Sequence, residues 1–234
     1  MYLKLKTMRY SDFEKVITHA RLGRYFKACG GDTRKTMTLY RKNIKLSQEL
    51  FTVIGCFEIA LRNAIDRHYT TIYGNDWLKN AASSGGIFDN NKCRLTQNNI
   101  NDAIRSLNRS YTHFKLIAEL GFGFWRFMFA NNQFIAAGST LLRVFPLKLR
   151  TTPIIQYNHN FILNQLAEIN ELRNRIAHHE PICFLQGQMI MDTSYARKQY
   201  NLILLLFQWM NIDERAFLYG LDRILLVCDK IDNL

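Results

Sequence analysis

Proline and glycine are scarce in this chain, 3 and 12 in 234 residues. Little therefore interrupts a helix, and the apolar residues recur at three- and four-residue spacing rather than in alternation, which predicts an all-α fold. Five cysteines (Cys29, Cys56, Cys93, Cys183, Cys228) lie far apart with no CxxC pair, which argues against both a disulfide framework and a cysteine zinc site. Also missing are HExxH and any glycine-rich phosphate loop. The longest apolar run, Leu202 to Phe207, is too short to span a bilayer, and Met1-Tyr2-Leu3-Lys4-Leu5-Lys6 lacks the apolar stretch of a signal peptide. A cytoplasmic protein with no membrane partner and no cofactor is expected.

Acidic residues are outnumbered, 19 against 31 Lys and Arg, for a net charge of +12. Residues 1–75 hold 14 of the basic residues against 6 acidic ones, so two-thirds of the excess sits in the first third. That asymmetry favours a polyanionic partner, nucleic acid before membrane. With 48% hydrophobic residues the chain can bury a substantial core. We expect one all-α domain over 1–234, with a basic helical region over about 1–50 and core helices over about 50–73 and 158–180.

Ser11-Asp12-Phe13-Glu14 has capping-box spacing and predicts a helix to about Cys29, stopped by Gly30-Gly31. Asp32 is placed to cap a long helix from Thr33 to about Tyr73. In its first half Arg34, Arg41, Lys42 and Lys45 form a basic face toward water or RNA, opposite Met37, Tyr40, Ile44 and Phe51 as the apolar side. From Leu50 to Ile65 the pattern is apolar nearly all round, yet contains Glu58, Arg62 and Asn63. Glu58 and Arg62 are four apart, so they can pair across a turn or support a site on a facing helix. Residues 80–95 read as an exposed loop. Short helices follow near 96–109, 111–120, 124–130 and 132–145, and longer ones near 158–178, 194–210 and 213–230. The run Phe122-Gly123-Phe124-Trp125-Arg126-Phe127 reads as core packing, and His19, His68, His113 and His159 as surface or packing histidines.

The one concentration of catalytic residue types is Arg173-Asn174-Arg175-Ile176-Ala177-His178-His179-Glu180-Pro181-Ile182. Asn174 and His178 lie one helical turn apart, and Pro181 predicts that the helix stops near His178 or His179. Arg is always charged and suits a phosphate, while His can move a proton near neutral pH. From the residues alone, the cluster is either a polar helix terminus or a phosphodiester-cleaving site. Adjacent histidines point in different directions, so a metal site is not expected.

Several stretches, in order, resemble the Abi-like (abortive infection) family of bacterial proteins, a branch of the HEPN superfamily. They are Leu39-Tyr40, Asn43, Leu46-Ser47, Phe57-Glu58, Leu61-Arg62-Asn63-Ala64-Ile65, Gly74, Trp77, Phe122-Gly123-Phe124-Trp125, Phe145-Pro146 and Leu172 to Ile182. The last is the most specific, with Arg, a neighbouring polar residue and His after four intervening residues. The resemblance implies a HEPN-like helical bundle with additional N-terminal and peripheral helices. It also implies a metal-independent endoribonuclease and a role in phage defence or a toxin–antitoxin system. Arg173 would then bind the scissile phosphate, Asn174 orient it or the imidazole, and His178 carry the proton. Glu58, Arg62 and Asn63 would support the site, with His179 beside it. The expected partners are RNA, structured non-coding RNA included, a second copy of the chain completing a composite site, and an antitoxin. The rival reading is a catalytically silent RNA-binding or scaffold module.

Overall fold

A computed structural model describes residues 8–234; the N-terminal segment Met1 to Lys6, read above for an export signal, lies outside them. The described residues form twelve α-helices, three short 3₁₀ turns and one isolated antiparallel bridge, Phe184 to Met191. The fold is all-α. The helices are α1 (Tyr10–Ile17), α2 (His19–Ala28), α3 (Thr33–Tyr73), α4 (Trp77–Ala82), α5 (Arg94–Leu107) and α6 (His113–Glu119). They continue with α7 (Phe122–Phe127), α8 (Asn131–Ala136), α9 (His159–Ala177), α10 (Ser194–Trp209), α11 (Glu214–Phe217) and α12 (Ile224–Asp232). None of them is long and apolar enough to cross a membrane.

The residues gather into two compact units. One holds the chain up to Val53, Arg173–Asn201 and Gly220–Leu234; the other holds Ile54–Leu172 and Leu202–Tyr219. The first carries 18 Lys and Arg against 9 Asp and Glu, so most of the positive excess belongs to it.

Local chemistry explains where the elements differ from expectation. The helix expected over residues 11–29 is two helices, because Thr18 between them adopts φ 80° and its hydroxyl accepts from the Arg21 N–H. Ser11 caps nothing, and Glu14 turns to His19 at 2.8 Å. Asp32 caps α3 as its position suggested, its carboxylate accepting from the N–H groups of Arg34 (2.8 Å) and Lys35 (2.9 Å). Residues 80–95 are not simply an exposed loop: α4 extends to Ala82 and Phe88 is buried. A Cβ at Gly86 would lie 2.3 Å from the Asn80 carbonyl oxygen, so only glycine fits that turn. The expected helix over 213–230 is α11 and α12, separated at Gly220 with φ 74°.

In the basic unit the buried stripe of α3 is Thr36, Leu39, Asn43, Leu46 and Leu50. The apolar side expected from sequence is displaced: Met37 and Tyr40 are half-buried, while Ile44 and Phe51 are exposed. The reason is that a polar residue occupies the inward position. Asn43 accepts from the backbone N–H of Ile182 at 2.9 Å, with both residues buried. Tyr25 packs edge-on against Phe184 (5.1 Å between centroids) and Tyr40 (5.3 Å), and the Arg24 guanidinium covers Phe184 at 4.6 Å. Arg24 also donates to the Gln188 carbonyl at 2.6 Å. Burial pushes the Cys183 thiol up to about 12, so it is an inert core residue at neutral pH.

In the second unit Phe57, Leu61, Ile65 and Tyr69 of α3 are fully buried. One side stays open, since Ile59 and Asn63 are exposed, so the helix is amphipathic rather than apolar all round. Phe57 meets Phe207 edge-on at 5.2 Å. Phe122, Phe124 and Trp125 are buried, and the Trp125 indole donates to the Leu120 carbonyl at 2.8 Å; this aromatic run is core. His113 lies 2.7 Å from Asp66, which also accepts from the Trp77 indole at 2.8 Å. His159 stacks on Phe134, and His68 contacts Thr140, its burial and then Arg143 holding its pKa below the usual histidine value.

Asn43→Ala leaves the Ile182 N–H buried without an acceptor. Urea unfolding is expected to show a loss of about 1–3 kcal/mol. A loss within error of zero would show that Ile182 finds another partner.

Candidate functional site

The end of α9 is fixed by apolar burial on one side and by hydrogen bonding at its tip. Ile162, Leu166, Ile169 and Leu172 are fully buried and Ile176 nearly so, which turns Asn174, Ala177 and His178 toward solvent. Arg173 is partly exposed, and its Nη1 lies 3.5 Å from Asn174 Oδ1.

After Ala177 the backbone closes in two crossed bonds: His179 N–H to the Ile176 carbonyl (2.9 Å) and Glu180 N–H to the Arg175 carbonyl (2.8 Å). This is the Schellman ending, with His179 at the position usually held by glycine. His179 accordingly has φ 55°. A side chain in that region costs about 1–2 kcal/mol. Pro181 then prevents the helix from resuming.

The two arginines of Arg173-Asn174-Arg175 are about 200° apart around the helix and have opposite fates. Arg175 is tied down: its Nε lies 3.3 Å from Glu180 Oε2, its Nη2 donates to the Pro181 carbonyl at 3.0 Å, and its guanidinium covers Tyr195 at 4.8 Å. Arg173 has no carboxylate partner among the described residues, and the His178 imidazole has no hydrogen-bond partner among them. A guanidinium and an amide in contact with each other, and an imidazole with no hydrogen-bond partner among the described residues, therefore lie together at the end of one helix. That set can hold a phosphate and move a proton.

The other candidates fall into two groups. Arg34, Arg41, Lys42 and Lys45 belong to the same unit as Arg173, Asn174, His178 and His179, whereas Glu58, Arg62 and Asn63 belong to the second unit. Glu58 and Arg62 are half-buried and form no ion pair with each other; Arg62 Nε is buried without a hydrogen-bond partner. The four basic residues are unequally free. Lys42 donates to the Lys230 carbonyl, its pKa lowered by burial and then by the Lys230 charge. Lys45 lies 2.8 Å from the buried Glu49, which also accepts from the Arg223 N–H at 2.8 Å. Arg41 sits over the Phe13 ring at 5.1 Å, and Arg34 is exposed. Among the described residues no group of three His, Cys, Asp or Glu side chains is placed to hold a metal ion.

The family model for Abi-like proteins matches residues 3–183, more than three-quarters of the chain and all of the motif up to Ile182. The chain belongs to the Abi-like family. Membership ties it to abortive infection, a form of bacteriophage defence. No curated protein and no solved structure matches the chain.

Sequence reasoning placed the helix end of this Abi-like protein within two residues but gave no role to Arg175 or Asn43. The signal for Arg175 was present: Glu180 lies five residues on, within reach across a Schellman turn. Asn43 carried no local signal, because its partner lies 139 residues away.

His179→Gly removes the cost of a side chain at positive φ. Thermal and urea unfolding are expected to show a gain of about 1 kcal/mol. A less stable variant would mean that the imidazole makes contacts worth more than the strain it causes.

Proposed function

We propose that this Abi-like protein is a HEPN-type, metal-independent endoribonuclease that acts as a toxin in phage defence. The observation that carries the reading is the Arg173 guanidinium, in contact with Asn174 and without a carboxylate partner among the described residues, near a His178 imidazole with no hydrogen-bond partner among them, at a helix end held by Arg175 and Glu180. Neutral His178 takes the proton from a ribose 2′-hydroxyl, whose oxygen attacks the adjacent phosphorus. The bond from phosphorus to the 5′-oxygen breaks, and that oxygen takes a proton from an imidazolium. The products are a 2′,3′-cyclic phosphate and a 5′-hydroxyl, with no net change in protons. Arg173 offsets the charge gathering on the phosphorane-like transition state.

One imidazole serves one of these steps at a time. Two copies of the chain, each bringing a His178, supply the base and the acid together, so the active form is a homodimer with a composite site. An antitoxin would then act by covering the motif or separating the copies.

RNA cleavage is expected to persist in EDTA, with product ends read by mass spectrometry as 2′,3′-cyclic phosphate and 5′-hydroxyl. His178→Ala loses activity by on the order of 10²–10⁴-fold with its fold unchanged. Activity that disappears in EDTA and returns with Mg²⁺ overturns the mechanism. Arg173→Lys keeps the charge but not the planar fork, so cleavage falls sharply while melting temperature and dimer mass hold. A fully active Arg173→Lys dimer would favour the silent RNA-binding reading.

A further inference from the structure

The exposed apolar residues of α3 leave a feature that the nuclease reading does not use. Ile44, Ser47, Gln48 and Phe51 are spaced by three and four, so they form one stripe, with Ile44 39% and Phe51 47% exposed. This stripe is one wall of a groove of about 310 Å³. The other wall is Ile176 and Ala177 at the end of α9 with His179 of the turn that follows. Arg173 lies one turn before Ile176 and Ala177 on the same side of α9, and His178 is their immediate neighbour. The groove therefore opens beside the phosphate-binding and proton-transferring groups, within one unit.

Its size is at the small end of the roughly 300–1,000 Å³ typical of ligand sites, room for one flat ring rather than a folded ligand. Its walls are almost wholly apolar. Of its polar residues on α3, Ser47 is buried and Gln48 Oε1 accepts from Lys45 at 3.3 Å. Charge surrounds it: Arg41 precedes Ile44 and Lys45 precedes Gln48 by three residues on α3, and Arg173 lies below on α9. An aromatic shelf edged by cations is the arrangement that binds single-stranded nucleic acid, bases on the ring and phosphates on the cations. Lys45 is already paired with Glu49, but a neutral apolar partner would leave Arg41 and Arg173 without a counter-charge.

We infer that the groove between Phe51 and the end of α9 is a nucleobase subsite, taking one unstacked base next to the scissile phosphate and so selecting single-stranded RNA over duplex. The inference rests on the reading of RNA as the substrate. A paired base in a helix is stacked and cannot enter, so unpaired segments and loops are the substrates.

The test reads binding without cleavage, using a short single-stranded RNA whose 2′-oxygens are methylated and cannot attack. Fluorescence anisotropy with wild-type protein compares this RNA with the same chain made abasic at each position in turn, so nothing depends on a variant folding. Loss of one base is expected to weaken binding on the order of ten-fold. Phe51→Ala weakens the intact RNA to a similar degree and abolishes the difference between intact and abasic RNA, while Phe51→Trp retains it. The salt dependence is unchanged, because no cation is removed.

Equal affinity of wild type for intact and abasic RNA overturns the subsite. So does a Phe51→Ala protein that loses dimer mass with RNA affinity intact, since the groove then belongs to a second copy. A wild type that binds base-dependently but does not cleave unmethylated RNA overturns the nuclease and leaves the subsite. Cleavage without base-dependent binding does the reverse, and no RNA binding at all overturns both.

Discussion

The hydrogen bond from the buried Ile182 N–H to Asn43 Oδ1 is the constraint on which the site depends. It joins the first third of α3 to the first residue after the Schellman turn and Pro181. Without it the chain leaving α9 would carry an unsatisfied donor into the core, a penalty comparable to a large part of a domain's net stability. With it, Cys183 and Phe184 continue into the interior, and Tyr25 and Arg24 close over Phe184. The position of the helix end, and therefore of Arg173, Asn174 and His178, follows from a side chain that looks out of place in an apolar stripe.

That same side chain explains how far the sequence could be read. The helical class, the 41-residue span of α3 and its Asp32 cap, and the end of α9 all follow from local signals: sparse Pro and Gly, capping chemistry, and Pro181. The inward face of α3 does not. Choosing the apolar side by residue type selects Ile44 and Phe51 and rejects Asn43, whereas the fold buries Asn43 and Glu49 because each finds a distant partner. Breaks inside helices were equally hidden. Thr18 is β-branched and at φ 80° is an unlikely hinge, and nothing within α1 or α2 foretells it.

At the site, the residue types were legible and their division of labour was not. Two arginines flank Asn174 in sequence; Glu180, five residues past Arg175, was the one local sign of which holds the turn, and the contacts assign that role to Arg175 while Arg173 has no carboxylate partner among the described residues. His179 shows the same limit: sequence places it beside the motif, while the backbone shows that it occupies a glycine's position at the helix end. Backbone strain is a known feature of functional sites, and here it sits on a wall of the groove beside the candidate residues Arg173 and His178.

The Arg175 contact with Glu180 has a further consequence for charge matching. Residues 173–180 contain two guanidiniums and one carboxylate, and the carboxylate lies against Arg175 at 3.3 Å. What remains without a carboxylate at the tip is one guanidinium, Arg173. Arg175 and Glu180 cancel each other while holding the turn, so the net positive charge of the helix end rests on Arg173, beside the partial negative charge of the last α9 carbonyls.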